Sequence, residues 1–260
     1  MSAGRTRNRL LRQLAKSDPD VYARVFDDLE PVSLNRRAQL GAAHERAEWA
    51  YFLESGIVSL VGATSSGHSV EVAFVGNEGV AGIPDVLGAR SMPYSLIVQL
   101  PGLAYRLPTS VAREHVFSCT ALHELLMAHA QFLIHQLTQS AICNRFHTAV
   151  QRLSRWLLLT ADRAGTDRLE LTHEFVAQMV GAPRSAVTQA ASVLRNRGMI
   201  NYERGLIIIR NSKSLHKTAC ECFDAVSSIV DGNGNVAPGF NSHRVPAARR
   251  RTKSGSRQLR

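Results

Sequence analysis

No apolar run in this sequence approaches the roughly 20 residues that cross a bilayer. The first thirty residues are basic but lack the apolar core segment of an export signal. Both absences predict a cytoplasmic protein with no membrane partner. Cysteine is scarce: Cys119, Cys143, Cys220 and Cys222 are the four in 260 residues, and without an export signal they predict reduced thiols rather than a disulfide framework. His44, His68 and His115 stand singly, without the short spacings that bring two ligands to one ion. A phosphate-binding P-loop, a nucleophile elbow and a paired-glycine nucleotide fingerprint are all missing. The expectation is therefore no enzyme activity, no cofactor and no metal site.

What the chain has is apolar content and unevenly placed charge. Apolar residues make up 45% of it, enough for a core in each of two domains. The net charge of +10 sits at the ends: residues 1–16 hold five bases and no acid, and residues 231–260 hold seven bases against one acid, which leaves residues 17–230 at −1. Within that middle, residues 17–118 carry seven bases and twelve acids, whereas residues 172–217 carry seven bases and two acids. A polyanion is expected to meet the second stretch and avoid the first.

That second stretch also has a pattern. Phe175, Val176, Met179 and Val180 recur at helical spacing, as do Val187, Ala190, Ala191 and Leu194, with Gly181 and Pro183 between the two sets. Two short helices joined by a tight turn follow, the second opened by Pro183, whose missing N–H costs nothing there. Arg184, Ser185, Thr188 and Gln189 then fall on its polar side, where they can reach base edges. From Met199 the period becomes that of a hairpin, turning at Arg204-Gly205 into the run Leu206–Ile209. The pattern predicts a winged helix-turn-helix.

The segment LELTHEFVAQMVGAPRSAVTQAASVLRNRGMI resembles the helix-turn-helix of the CRP/FNR family of bacterial transcription regulators, in which a Thr-opened helix is followed by a Gly-x-x-Arg start to the reading helix. The resemblance implies base contacts from Arg184, Ser185 and Gln189, and a phosphate contact from Thr172 with Arg204 at the wing tip; Thr188 is added as a phosphate contact. It also implies double-stranded DNA, a second copy of the chain and RNA polymerase as partners. Pro183, Ser185 and Gln189 depart from the usual Ser, acidic residue and Arg, so the operator does not transfer from the family.

Residues 30–108 consist of short apolar runs punctuated by glycine, the mark of a strand-rich sandwich or barrel. YFLESGIVSLV resembles the start of the family's cyclic-nucleotide-binding β-roll, a cupin-like jelly roll. In that roll a Gly-Glu start and, about a dozen residues on, an Arg-Ser or Arg-Thr pair hold the nucleotide phosphate. The matching cassette here is degenerate: Glu78, Gly79 and Gly82 are followed by Tyr94-Ser95 where the arginine belongs, and Arg90 lies four residues early on a loop. No tight cyclic-AMP binding is expected.

Residues 109–144 contain neither proline nor glycine and predict one long helix. Leu122, Leu126, His129, Leu133 and Leu137 step close to a heptad, while Leu125 and Phe132 lie on another side. One side is expected to pack on the roll; the other, by the resemblance, meets the same helix of a second subunit, and the heptad series is assigned to that seam. Residues 147–163 predict a further helix with Trp156 in its core and Arg152 and Arg155 on a solvated face. Residues 212–223 predict one closing helix, on which Cys220 and Cys222, two apart, point to different sides.

The expected organisation is α+β: a basic mobile N-terminus (1–19), a β-roll (20–108), a long dimerisation helix (109–146), a winged helix-turn-helix (147–225) and a disordered basic tail (226–260). The function it predicts is a homodimeric, sequence-specific transcription regulator on a pseudo-palindromic operator, not controlled by cyclic AMP. Two other readings stay open: gating by a different small molecule in the roll, and a non-specific DNA-coating protein working through its basic ends.

Overall fold

The computed structural model describes residues 6–203 and 205–231, with the side chains of the last two left aside. Two helices, α1 (Arg9–Ser17) and α2 (Pro19–Asp27), precede a run of eight strands: β1 (Glu30–Leu34), β2 (Gln39–Gly41), β3 (Trp49–Leu53), β4 (Ile57–Ala63), β5 (Ser69–Val75), β6 (Val80–Ala81), β7 (Ser95–Leu100) and β8 (Gly102–Pro108), with the short α3 (Ile83–Val86) between β6 and β7. These strands form two antiparallel four-stranded sheets, ordered β1-β8-β3-β6 and β2-β7-β4-β5. Inward alternation is clear on β5, where Ala73 and Val75 are buried, and the inner faces meet over Leu53, Leu60, Leu96 and Leu107. Burial of such leucines stabilises by about 1.5–3 kcal/mol each.

The basic N-terminus is not mobile over its helical part. Leu10, Leu11 and Leu14 of α1 are buried in the roll's core. Asn8 caps the helix by accepting from Leu11 N, while its Nδ2 donates to the carbonyls of Leu53 (3.0 Å) and Gly79 (2.8 Å). Charge along this segment masks a three-leucine face that is apolar enough to dock.

The expected single long helix is two. α4 (Thr109–Ser118) ends at Cys119, whose backbone is extended (φ −136°, ψ 113°), and α5 (Thr120–Phe146) restarts with the Cys119 thiol accepting from Leu122 N at 3.5 Å. The assigned dimer seam is also on the wrong face. Leu122, Leu126 and Leu133 are buried in the roll's own core, Leu137 packs against it, and the ring of His129 is 6% exposed against β6. Heptad spacing identifies a packed stripe but not its partner, and here the partner is the same chain. Among the residues that α5 leaves exposed, Met127, Gln131, Ile134, Thr138 and Ala141 follow a 4-3-4-3 spacing of their own.

The C-terminal unit comprises α6 (Ala149–Ala164), β9 (Arg168–Glu170), α7 (His173–Val180), α8 (Arg184–Asn196), the hairpin β10 (Ile200–Glu203) and β11 (Leu206–Ile209), α9 (Ser212–Thr218) and α10 (Cys222–Asp231). The three strands pair as β10-β11-β9. The expected closing helix is thus a pair broken at Ala219–Glu221, and residues 226–231 belong to α10 rather than to a tail; residues 232–260, with the Arg249–Arg251 run, lie outside the described residues.

This unit packs tightly on the roll. Trp156 is buried, and its Nε1 donates to Glu71 Oε1 at 2.9 Å across the junction. Gln99 Nε2 donates to Thr160 Oγ1 at 3.2 Å, and Gln178 Nε2 to Ser69 Oγ at 2.8 Å. Arg155 is buried rather than solvated, and Arg152 donates to the carbonyls of Asn144 (3.2 Å) and Gly181 (2.7 Å). These arginines lie on the face of α6 that meets the roll.

Candidate nucleic-acid interface

The helix pair forms for local reasons. Thr172 caps α7 by accepting from Phe175 N at 3.3 Å, and Gly181 ends it in the left-handed region (φ 64°), where a side chain would be strained and would also strike Val70. Pro183 stands at the cap position just before α8 rather than inside its first turn. Val187, Ala190, Ala191 and Leu194 are buried against α6 and α7, which fixes the roll angle of α8 and turns Arg184, Ser185, Thr188 and Gln189 into solvent. All four side chains are long or hydroxyl-bearing, and they share one face of two turns. Thr188 spends its hydroxyl proton on the Arg184 carbonyl at 2.9 Å and lies 3.3 Å from His173 Nδ1.

His173 and Tyr202 form a support that sequence reasoning did not find. Their rings stack at 4.0 Å and 13°, joining the start of α7 to the wing strand β10. Partial burial, together with the charge of Arg184, pushes His173 below the ordinary histidine range, so the ring is neutral at pH 7. A single His and a single Tyr 29 positions apart carry no signal that links them. Arg204, expected at the wing tip, lies outside the described residues.

The phosphate cassette of the roll takes a different form. The carboxylate of Glu78 is buried and faces Arg163 of α6, with Nε to Oε2 at 3.5 Å. Gly79 is covered by His129: a Cβ placed on Gly79 would stand 1.9 Å from the ring's Cε1. The His129 ring lies 3.0 Å from the Val80 carbonyl oxygen, and burial depresses its pKa, so it is neutral. Gly82 is buried with φ 92°, Tyr94 is buried, and Ser95 Oγ accepts from Ala43 N at 3.1 Å. Burial pushes the Tyr94 phenol up to about 12. Arg90 is exposed on its loop. In this cassette the carboxylate therefore faces Arg163 and the space over Gly79 holds an imidazole ring.

A cleft of about 350 Å³ opens instead between roll and helix-turn-helix, lined by Arg36, Arg37, Gln99, Thr172 and Phe175 among others. Its rim is tied by the Arg36–Glu170 ion pair at 2.9 Å. The thiols are arranged against expectation. Cys220 lies before α10 and Cys222 on its first turn, so the two do not diverge as on a single helix; with Cys143 and His147 they place four ligand atoms within 4.8 Å of one another. The convergence joins positions more than seventy residues apart, which spacing alone does not reveal.

Residues 151–218 match the model of the Crp-like helix-turn-helix domain. A CRP-like cAMP-activated global transcriptional regulator of Mycobacterium tuberculosis is 24% identical over 214 residues, covering 78% of this chain and 93% of that protein. Among solved structures, FixK2 from Bradyrhizobium japonicum superposes with a TM-score of 0.64 at 18% identity, covering 74% of this chain and 98% of its own. A CRP-family transcriptional regulator from Thermus thermophilus superposes with a TM-score of 0.59 at 16% identity, covering 72% and 96%. No helix among the described residues is long and apolar enough to cross a membrane. The chain thus carries a Crp-like helix-turn-helix domain behind a β-roll and a long helix, and it shares its fold with the CRP-type structures that it resembles.

Proposed function

We propose that the protein acts as a homodimer that reads a pseudo-palindromic operator with α8 of each subunit in successive major grooves, and that it does so without cyclic AMP. The observation that carries this reading is the division of α8 into a buried apolar face and an exposed face of Arg184, Ser185, Thr188 and Gln189. Arg184 is assigned bidentate contact with guanine, Gln189 contact with adenine, and Ser185 contact with either. Thr172, Thr188 and Arg204 are assigned to phosphates, which position the protein without reading sequence.

The dimer seam is reassigned to the exposed stripe of α5. Met127 is 40% and Ile134 59% exposed, with Gln131, Thr138 and Ala141 between and beyond them at heptad spacing. Apolar residues of this size at that spacing serve a partner helix, and an identical one satisfies both by two-fold symmetry. RNA polymerase belongs to this reading as the partner through which a bound dimer acts on transcription.

Selection of bound fragments from a random duplex pool tests the proposal. The expected outcome is an inverted repeat with half-sites about one helical turn apart. Equal affinity for selected and random duplex defeats it and leaves the coating reading. The cleft beside Arg36, Arg37 and Thr172 favours a second reading, in which an anionic small molecule seated there gates the DNA-binding unit; its size is that of ligand pockets. A metabolite that raises the thermal midpoint of the wild type but not of an Arg37→Ala variant supports that gating.

A further inference from the structure

The four converging residues come from two places. Cys143 lies on the last turn of α5 and His147 is its cap residue, four positions on and therefore on the same side. Cys220 and Cys222 flank the exposed Glu221 where α9 gives way to α10. Cys143 Sγ is 3.5 Å from Cys220 Sγ, and Cys222 Sγ is 3.5 Å from His147 Nδ1. Ligands arranged tetrahedrally about one zinc ion, at about 2.3 Å for sulfur and 2.0–2.1 Å for nitrogen, stand roughly 3.5–3.8 Å from one another. The observed distances fall on that scale, and they are tighter than the spread of cysteines around a cluster of several irons.

The surroundings serve a ligand set rather than inert thiols. All three cysteines are buried and form a small cluster separate from both main cores. Gln139 Nε2 donates to Cys222 Sγ at 3.0 Å. His147 Nε2 lies 3.2 Å from Glu221 Oε1, which holds the proton on that nitrogen and leaves the Nδ1 lone pair facing the sulfurs. This carboxylate–imidazole arrangement is the usual outer partner of a metal-bound histidine. The guanidinium groups of Arg152 and Arg155 line the same narrow cavity as Cys143, and they offset the net negative charge that three thiolates and one divalent ion leave behind.

We propose that Cys143, His147, Cys220 and Cys222 form a structural zinc site that fastens the start of α10 to the end of α5. Four protein ligands close the tetrahedron, so no position remains for a substrate or an activated water. Each thiol loses its proton to solvent as its sulfur–metal bond forms, and nothing is oxidised or reduced. The ion sits directly before α6, so it braces the joint through which the long helix carries the DNA-binding unit.

Metal analysis of the full-length protein, stripped by chelator and refilled with zinc under reducing conditions, tests this. The expected result is one zinc per chain retained through gel filtration, a higher thermal midpoint with zinc than without, and, with cobalt(II) in its place, the visible absorption of a tetrahedral thiolate complex. Cys222→Ser and His147→Ala are expected to lose the ion. Cys119→Ser lies outside the cluster and keeps it. Glu221→Gln is exposed and leaves the fold intact, so it distinguishes a lost site from a lost fold; it is expected to weaken zinc affinity about 10–100-fold. A wild type that holds no more metal than Cys222→Ser overturns the proposal. So does recovery of a Cys143–Cys220 disulfide as the resting form in reducing buffer, since it would consume two of the ligands.

Discussion

The proposed reading face of α8 and the cassette of the roll both answer to sequence patterns, yet the fold treats them in opposite ways. On α8 the side chains of Arg184, Ser185, Thr188 and Gln189 stand in solvent while Val187, Ala190, Ala191 and Leu194 are buried beneath them. In the cassette the polar groups have been taken up internally: Glu78 by Arg163, Gly79 by the His129 ring, and Ser95 by a backbone N–H. A face kept open for an external ligand presents its polar groups to solvent; in the cassette they are buried, and the Glu78 carboxylate is offset by the charge of Arg163 at 3.5 Å. Substitutions should therefore separate cleanly. Those on α8 and its dimer support should cost DNA affinity and leave stability alone, and those in the cassette should do the reverse.

The largest effect is expected from the dimer stripe. Glutamate at both Met127 and Ile134 places like charges across a symmetric seam, and loss of the second half-site should lower operator affinity by at least about 100-fold, near 3 kcal/mol. Sedimentation and operator titration measured together decide it: a variant that remains dimeric and binds normally returns the seam to an unassigned face. Arg184→Ala comes next. It should cost about 1–3 kcal/mol and relax one base pair of the selected motif, whereas Thr172→Val should weaken all duplexes by a similar factor. If both variants relax the same base pair, the separation into reading and positioning contacts is wrong.

In the cassette, Gly79→Ala drives a methyl group into His129, and overpacking of this kind costs about 1–3 kcal/mol. The expected readout is a lower urea midpoint with unchanged slope and unchanged operator affinity for the folded fraction. Rescue by a second substitution, His129→Ala, would show that the ring alone is the obstacle. A restored response to cyclic AMP in that double variant would mean that the cassette is blocked rather than converted, which sharpens the distinction drawn above.

Much of this was legible in advance where one residue pattern had one structural outcome. Val187, Ala190, Ala191 and Leu194 can be buried together only on a helix, and Gly181 followed by Pro183 permits little but a turn. Strands β3 and β4 were legible as apolar runs either side of Gly56, and β5 from its alternation, whereas β1, with a proline at its second position, and the three-residue β2 and β9 carry no such mark. Failures came where a pattern had two possible partners. The heptad of α5 could meet a second subunit or its own roll, and only the fold shows that β6 and Gly79 lie beneath His129. The α1 leucines were outvoted by their arginines. The cysteines were misjudged because a break at residues 219–221 turns Cys220 and Cys222 toward the same point, and local propensity does not foretell that break.

The junction between the two regions supplies the smallest and most diagnostic prediction. Glu71 is fully buried where roll meets α6, accepting from Ser59 and from Trp156 Nε1, with Arg155 nearby. Burial raises its pKa to about 7, and the two hydrogen bonds and the arginine only partly offset that rise. The folded value lies above the unfolded one of 4.5, so the protonated acid is favoured on folding. Its contribution is complete below the unfolded value and declines as pH rises through about 7. At 1.36 kcal/mol for each pKa unit, the loss between about pH 6 and pH 8 is about 1.4 kcal/mol. Denaturation of the wild type across that window should show this decline, and Glu71→Gln, which keeps a neutral hydrogen-bonding side chain of the same size, should flatten it. Operator affinity measured beside it should change little for Glu71→Gln, because the group belongs to the built part of the molecule. If the affinity instead follows the titration, the junction is coupled to α8, and the boundary between the structural region and the reading region has been drawn in the wrong place.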